Sequence, residues 1–530
     1  MIRNPILPGF NPDPSICRVG EDYYIATSTF EWYPGVQIHH SRDLVNWKLV
    51  ARPLNRASQL DMRGNPDSCG IWAPCLSHAD GMFWLVYTDM KRLDGAFKDS
   101  HNYIVTCDRI DGEWSDPWYV NSSGFDPSLF HDSDGRKYFM NQRWNYRGQG
   151  TGGNPAHASF DGIILQEWSP EAGLFGPVKN IYDGSPRGLT EAPHIFKRGN
   201  YYYLTVAEGG TGYRHAITMA RAQDIWGPYE TQPDAHLFSA ADAPEHPIQR
   251  VGHGQYVETP EGEVYHTFLM GRPLAGRYCP LGRETGIEKC VWGTDDWLYP
   301  EAGGQLPRIT LDGPSDAEPK PAQKIDHDFQ GPDLPVEFQW LRTPDPERIF
   351  SLQDEGLTLI GRESLGSWFE QSLVARRQEH FAYVAETKLK FLPETYQHGA
   401  GLVTYYNRHK FHALCLSQED GARSLSLLSC AGDWPDGALT RYPNEPVPVP
   451  DGPIEMRVEV DHHAQRFQWR AGDAPWRQIG PELSAAEISD EGGRGEHASF
   501  TGAFVGMFAF DLTGQGKTAC FKRFSYDPRA

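Results

Sequence analysis

Several features that would place a chain elsewhere are missing from these 530 residues. No apolar run reaches the ~18 residues of a membrane-spanning helix. The opening MIRNPILPGF lacks the apolar core and cleavage site of a secretory signal, so a cytoplasmic protein is the expectation. The nine cysteines are an odd number with no C-x-x-C spacing, which argues against a disulfide framework and a structural zinc site and leaves buried thiols. Basic charge is in short supply: 49 Lys and Arg face 70 Asp and Glu, and the net −21 is spread without acidic blocks. A phosphate backbone or an anionic bilayer demands a basic surface, so neither nucleic acid nor membrane is expected as a partner. Helical periodicity is scarce through the first 300 residues.

Aromatics, by contrast, are plentiful, with 16 Trp and 24 Tyr. They serve cores first and sugar-stacking platforms second. The length calls for two or more domains.

One unit of sequence recurs. PSICRVGEDYYIATST, IWAPCLSHADGMFWLVYTD, GFDPSLFHDSDGRKYFMNQ, LTEAPHIFKRGNYYYLTVAEGG and VGHGQYVETPEGEVYHTFLMG each hold a short apolar strand, a Gly-containing turn and an aromatic-rich strand. With Asp13, Ala73, Asp126, Glu191 and His253 as anchors, the intervals are 60, 53, 65 and 62 residues. Further strand-like pieces fall between, giving four strands per unit and five units, a five-bladed β-propeller. Prolines flank Asp13 on both sides and are expected to hold it in extended geometry. The start of each innermost strand points at the propeller axis, so Asp13, Asp126 and Glu191 are read as equivalent axial carboxylates. In TEAPH one alanine intervenes before Pro193, which offsets Glu191.

Three carboxylates on one axis have three uses. Two can hydrolyse a glycosidic bond, one protonated and one ionised, with the third raising the pKa of the acid. They can bind a hard cation such as Ca2+ through oxygen. They can also be turn residues with no chemistry.

In this order NPDPS, GIWAP, FDPSLF, TEAPHIF and PLGRET resemble glycoside hydrolase family 43, in particular its two-domain β-xylosidases. GRESL, SLVARR, AGLVTYYN and TGAFVGM extend the resemblance over nearly the whole chain. It implies an inverting enzyme with Asp13 as general base, Glu191 as general acid, and Asp126 tuning and orienting Glu191. The related retaining fructosidases carry NDPNG and ECP where this chain has NPDPS and TEAPH. The resemblance also implies that Arg283 hydrogen-bonds the terminal sugar and that Phe30 and Trp72, beside Ala73, form an apolar wall, with Trp144 a further candidate. His253 would sit beside a water-held Ca2+ in some members, while others work without one, and no cofactor is required for the chemistry.

The stretch LDGPSDAEPKPAQKIDHDF, 311–329, is rich in Pro, Asp and Lys and reads as a linker. The expected division is a propeller over 1–312, a linker over 313–325 and a β-sandwich over 326–530, since short alternating strands crowd the second half. A detached carbohydrate-binding module is one reading of that half. The resemblance instead implies a sandwich packed on the propeller, with Phe504 contributed to the pocket. Such a pocket admits chain ends. The resulting expectation is an exo-acting β-1,4-xylosidase that releases xylose from the non-reducing ends of small xylooligosaccharides. An α-L-arabinofuranosidase or bifunctional enzyme is the nearest alternative, and a non-catalytic sugar-binding propeller the alternative of another class. Among relatives both homodimers and homotetramers occur, and the sequence does not choose between them.

Overall fold

A computed structural model describes residues 1–150, 155–432, 434, 436–493 and 499–529. Local turn chemistry sets its strand breaks. In the hairpin joining Gly70–Ala79 to Met82–Arg92, Asp80 and Gly81 take φ of 54° and 73°. This is the two-residue turn geometry that Asp-Gly favours. Repeats of this kind build five antiparallel sheets of four or five strands, ordered outward from the axis. The innermost strands are Ser15–Val19, Gly70–Ala79, Ser128–His131, Glu191–Arg198 and Gln249–Gly252. In the fifth blade Tyr256–Glu258 resumes pairing with Val264–Gly271 beyond His253. The five-bladed propeller expected from the repeat is therefore present, and no α-helix occurs among the described residues.

The N-terminal segment closes the ring. Ile2–Arg3 pairs with Thr310–Leu311, and Asn4 exchanges side-chain hydrogen bonds with the backbone of Ile287 in blade five at 2.8 and 2.9 Å.

At the axis the backbone departs from two expectations. Asp13 is not extended but left-handed, at φ 57°. The proline that follows disfavours the right-handed helical region, and the left-handed region that Asp13 occupies is one aspartate tolerates better than most residues. Ala73, Asp126, Ala192 and His253 share this conformation, at 37°, 54°, 53° and 41°. The blade-four counterpart of Asp13 is thus Ala192, which precedes Pro193, and Glu191 stands one position earlier. Trp72 and Phe125 hold that same preceding position in blades two and three. The one-residue offset in TEAPH lets blade four project its side chain from a different point on the ring.

Beyond the propeller, nine-stranded and eight-stranded sheets form the C-terminal β-sandwich. Its strands alternate as their sequence does: Ile454–Asp461 buries every second residue. The sandwich is joined to the propeller by backbone pairing, since Trp32–Tyr33 of blade one forms the edge strand next to Phe338–Leu341. One apolar cluster spans both halves, with Phe10, Trp32 and Cys69 packed among Tyr405, Phe504 and Phe508. Buried Arg342 of the sandwich reaches Asp67 at 2.8 Å and the Asn65 carbonyl at 2.8 Å. All nine cysteines are free thiols, eight of them buried, and Cys520 is partly exposed.

Candidate active site

A cavity of about 290 Å3 opens at the axial end of the propeller. Its polar floor brings together Asp13, Asp126, Glu191, His253 and Arg283 from four blades. Asp13 is the most heavily supported. Ser28 donates its hydroxyl to Oδ2 at 2.6 Å, Arg283 Nη1 donates to Oδ1 at 3.2 Å, and His253 Nδ1 lies 3.6 Å from Oδ1. Burial works to raise its pKa, but Arg283, His253 and the Ser28 hydrogen bond outweigh it, and Asp13 stays below the ordinary aspartate value. It is ionised at neutral pH.

Glu191 is the opposite case. Burial, reinforced by the Asp13 charge and only partly offset by Arg283, pushes its pKa up to about 8. Asp126 is also raised, first by burial and then by the charges of Glu191 and Asp13. The two carboxyls titrate together and retain a proton between them near neutrality. The backbone N–H of Ala192 bonds the Asp126 carboxyl, which ties Asp126 to the residue following Glu191. Two carboxyl functions of opposite protonation in one cavity are the equipment of acid–base hydrolysis.

One side of the cavity is aromatic. Phe30 and Trp72 lie 5.9 Å apart, Trp72 meets Phe125 edge-on at 5.5 Å, and Trp144 sits near Phe160 at 5.5 Å. Lys98 spreads over the Trp144 ring at 4.2 Å. Phe30, Trp72 and Trp144 therefore all reach the pocket as expected from the sequence. Ala73 does not. Its N–H donates to the Ser28 hydroxyl at 2.8 Å, so it supports Asp13 through Ser28 from behind the wall.

Phe504 is not the aromatic supplied by the sandwich. It is fully buried, stacked on Trp32 at 3.6 Å between ring centroids, within the core that joins the two domains. Phe500, four residues earlier, takes the place expected for it and faces Trp72 at 5.7 Å and Phe30 at 6.2 Å. The strand Phe504–Asp511 is buried on both faces, and Phe504 at its start packs into the cluster that joins the domains, while Phe500 lies in the preceding loop and projects into the pocket. Arg283 clamps that loop, donating from Nη2 at 2.8 Å and Nε at 3.2 Å to the Phe500 carbonyl. Gly282 makes the approach possible: it has φ 70°, and a Cβ there would come within 2.1 Å of the Thr501 carbonyl.

Phe125 and Phe160, Lys98, Thr211 and His215 also line the cavity. Phe125 was recoverable from the sequence, because it precedes Asp126 as Trp72 precedes Ala73. The others carried no pattern.

The surroundings of His253 do not suit a directly ligated Ca2+. A hard cation takes ~6–8 oxygen ligands, whereas His253 is neighboured by His194 and His215 and by an Asp13 carboxylate already held by Arg283 and Ser28. Among the described residues no group of three or more His, Cys, Asp or Glu is arranged to hold a metal ion.

A propeller pocket that sets one ionised and one protonated carboxyl against an aromatic wall is the site of a glycoside hydrolase. The sequence relationships agree. Residues 2–298 match the family described as Glycosyl hydrolases family 43, and residues 326–527 match a Beta xylosidase C-terminal Concanavalin A-like domain. The chain belongs to glycoside hydrolase family 43. It is 55% identical to Xylosidase/arabinosidase 43B of Humicola insolens, over 99% of this chain and 98% of that one. It is 46% identical to a Beta-xylosidase of Bacillus subtilis (strain 168), over 99% of each. The crystal structure of a xylan beta-1,4-xylosidase from Bacillus halodurans C-125 superposes with a TM-score of 0.94 at 48% identity, covering 99% of this chain and 100% of that one.

Proposed function

We propose that this protein is an inverting, exo-acting β-1,4-xylosidase that removes xylose from the non-reducing ends of xylooligosaccharides. The observation that carries the reading is the opposite ionisation of Asp13 and Glu191 in one small pocket. Asp13 draws a proton from the attacking water, and Glu191 protonates the departing glycosidic oxygen. Asp126, raised by burial and by the charges of Glu191 and Asp13, shares a proton with Glu191 and is tied to the neighbouring backbone through the Ala192 N–H. Arg283 presents its remaining donor capacity to sugar hydroxyls, and the Phe30–Trp72 wall packs the apolar ring edge. Phe500 seals one side, so the pocket, at the small end of the ~300–1,000 Å3 typical of ligand sites, accepts a chain terminus.

Proton NMR of xylobiose hydrolysis, recorded before mutarotation, tests this. α-Xylose appearing first is the expected result. β-Xylose appearing first means retention and overturns the roles of Asp13 and Glu191. A second reading, an enzyme that also takes α-L-arabinofuranosides, is favoured by the double name of the Humicola insolens relative. Comparison of kcat/KM on the two 4-nitrophenyl glycosides decides between them.

A further inference from the structure

One carboxyl lies deep in blade four, outside the cavity and with no part in the chemistry above. Glu208, at the end of the strand Tyr201–Glu208, is fully buried. Four donors converge on it. The Ser185 N–H and the Thr190 hydroxyl reach Oε1 at 2.7 and 2.8 Å, and the Ser185 and Thr218 hydroxyls reach Oε2 at 2.5 and 2.6 Å. A buried carboxyl is costly unless its oxygens are satisfied, and here both are satisfied twice.

What Glu208 holds is the approach to Glu191. Thr190 immediately precedes Glu191, and Glu191 pairs across the ladder with Ala207, the neighbour of Glu208. Ladder pairing alone does not fix the Glu191 backbone, because the register shifts between Glu191 and His194 and Ala192 turns left-handed there at φ 53°. Carboxyls steady both flanks instead: Asp126 accepts from the Ala192 N–H, and Glu208 accepts from the Thr190 hydroxyl. The preceding loop leaves room for nothing else. At Gly184, φ 91°, a Cβ would lie 1.9 Å from Thr190 Oγ1 and 2.9 Å from Glu208 Oε1.

We propose that Glu208 is a positioning residue for the general acid, acting through Thr190 to set where Glu191 meets the departing glycosidic oxygen. The proposal rests on the acid role given to Glu191 in the xylosidase reading above. It makes a demand that a merely structural carboxyl would not: loss of the contact must weaken proton donation more than the rest of catalysis. Its test measures kcat/KM on xylobiose, whose leaving sugar needs a proton, and on 4-nitrophenyl β-xyloside, whose leaving group does not. The proteins are the wild type, Glu208→Gln, Thr190→Val, which removes the donor and keeps the shape, and Thr190→Ser, which keeps the donor. Thermal unfolding of each is recorded alongside. Glu208→Gln and Thr190→Val are expected to lose about 10–10²-fold on xylobiose, the scale of a misplaced reacting group, and less than about threefold on the aryl xyloside. Thr190→Ser should restore xylobiose turnover. Added to Glu191→Gln, Thr190→Val should cost nothing further on xylobiose.

Equal losses on the two substrates overturn the proposal, because Glu208 would then act on the site as a whole. Undiminished xylobiose turnover in Thr190→Val overturns it too, and does so even where Glu208→Gln does not fold. A wild type inactive on xylobiose, or a Glu191→Gln variant that loses equally on both substrates, refutes the reading beneath the proposal, and neither result depends on Glu208.

Discussion

Arg283 hydrogen-bonds Asp13 at 3.2 Å and the carbonyl of Phe500 at 2.8 Å, so one guanidinium links the propeller's ionised carboxylate to the loop contributed by the sandwich. Pocket closure and the ionisation of Asp13 therefore depend on the same side chain. Arg283→Gln removes the nearest countercharge from a buried carboxylate and releases the loop. We expect kcat/KM on xylobiose to drop by about 10²-fold or more, the scale of a broken buried pair. The acidic limb of its pH profile should move to higher pH, because the strongest influence lowering the Asp13 pKa is gone. An unmoved acidic limb would show that Arg283 does not set the charge of Asp13.

The wild-type pH profile follows from the two carboxyls. Activity needs Asp13 ionised and Glu191 protonated. Asp13 lies below the ordinary aspartate value and Glu191 at about 8. The profile of kcat/KM should be a bell whose acidic limb falls only below the usual carboxylate range and whose basic limb falls near pH 8. A basic limb near pH 5 would mean that Glu191 ionises as an ordinary glutamate and holds no proton at neutrality.

Glu191→Gln separates acid from base. The amide cannot donate a proton to a sugar leaving group, so xylobiose turnover should fall by about 10²–10⁴-fold. An aryl xyloside with a 4-nitrophenolate leaving group departs without protonation and should lose far less. Asp13→Asn removes the base and should depress both substrates together. Equal losses on both substrates in the Glu191 variant would take the acid role away from it.

Phe500 and Phe504 are four residues apart and do different work. Phe500→Ala removes a pocket wall, and its KM for xylobiose should rise with little change in thermal stability. Phe504→Ala empties a fully buried position stacked on Trp32 and should destabilise by about 3–5 kcal/mol, read as a lowered Tm. Reversed phenotypes would return Phe504 to the pocket.

Much of this was legible before any coordinates. The blade repeat follows from hairpin chemistry and strand alternation, which act over a few residues, and Asp-Gly at 80–81 turns as that chemistry dictates. Trp72 stands directly beside the anchor Ala73, whereas Phe30 and Arg283 were placed in the pocket by the family resemblance of the motifs that hold them. The reading of Glu191 as equivalent to Asp13 slipped by one residue, since the left-handed φ of Ala192 is a backbone property that composition does not display. Phe500 was out of reach for a different reason: its position depends on a glycine–carbonyl approach and an arginine clamp 217 residues away in the chain.

The sequence by itself determined that the chain forms two β domains and that three carboxylates return near the propeller axis. Those properties arise from short-range periodicity and from turns. Only the tertiary structure decided which carboxyl carries a proton, because protonation depends on burial and on charges brought close by folding: Asp13 gained Arg283, His253 and Ser28, while Glu191 gained burial and a negative neighbour. Only the tertiary structure decided which phenylalanine closes the pocket, because that follows from how one domain's loop meets the other's floor.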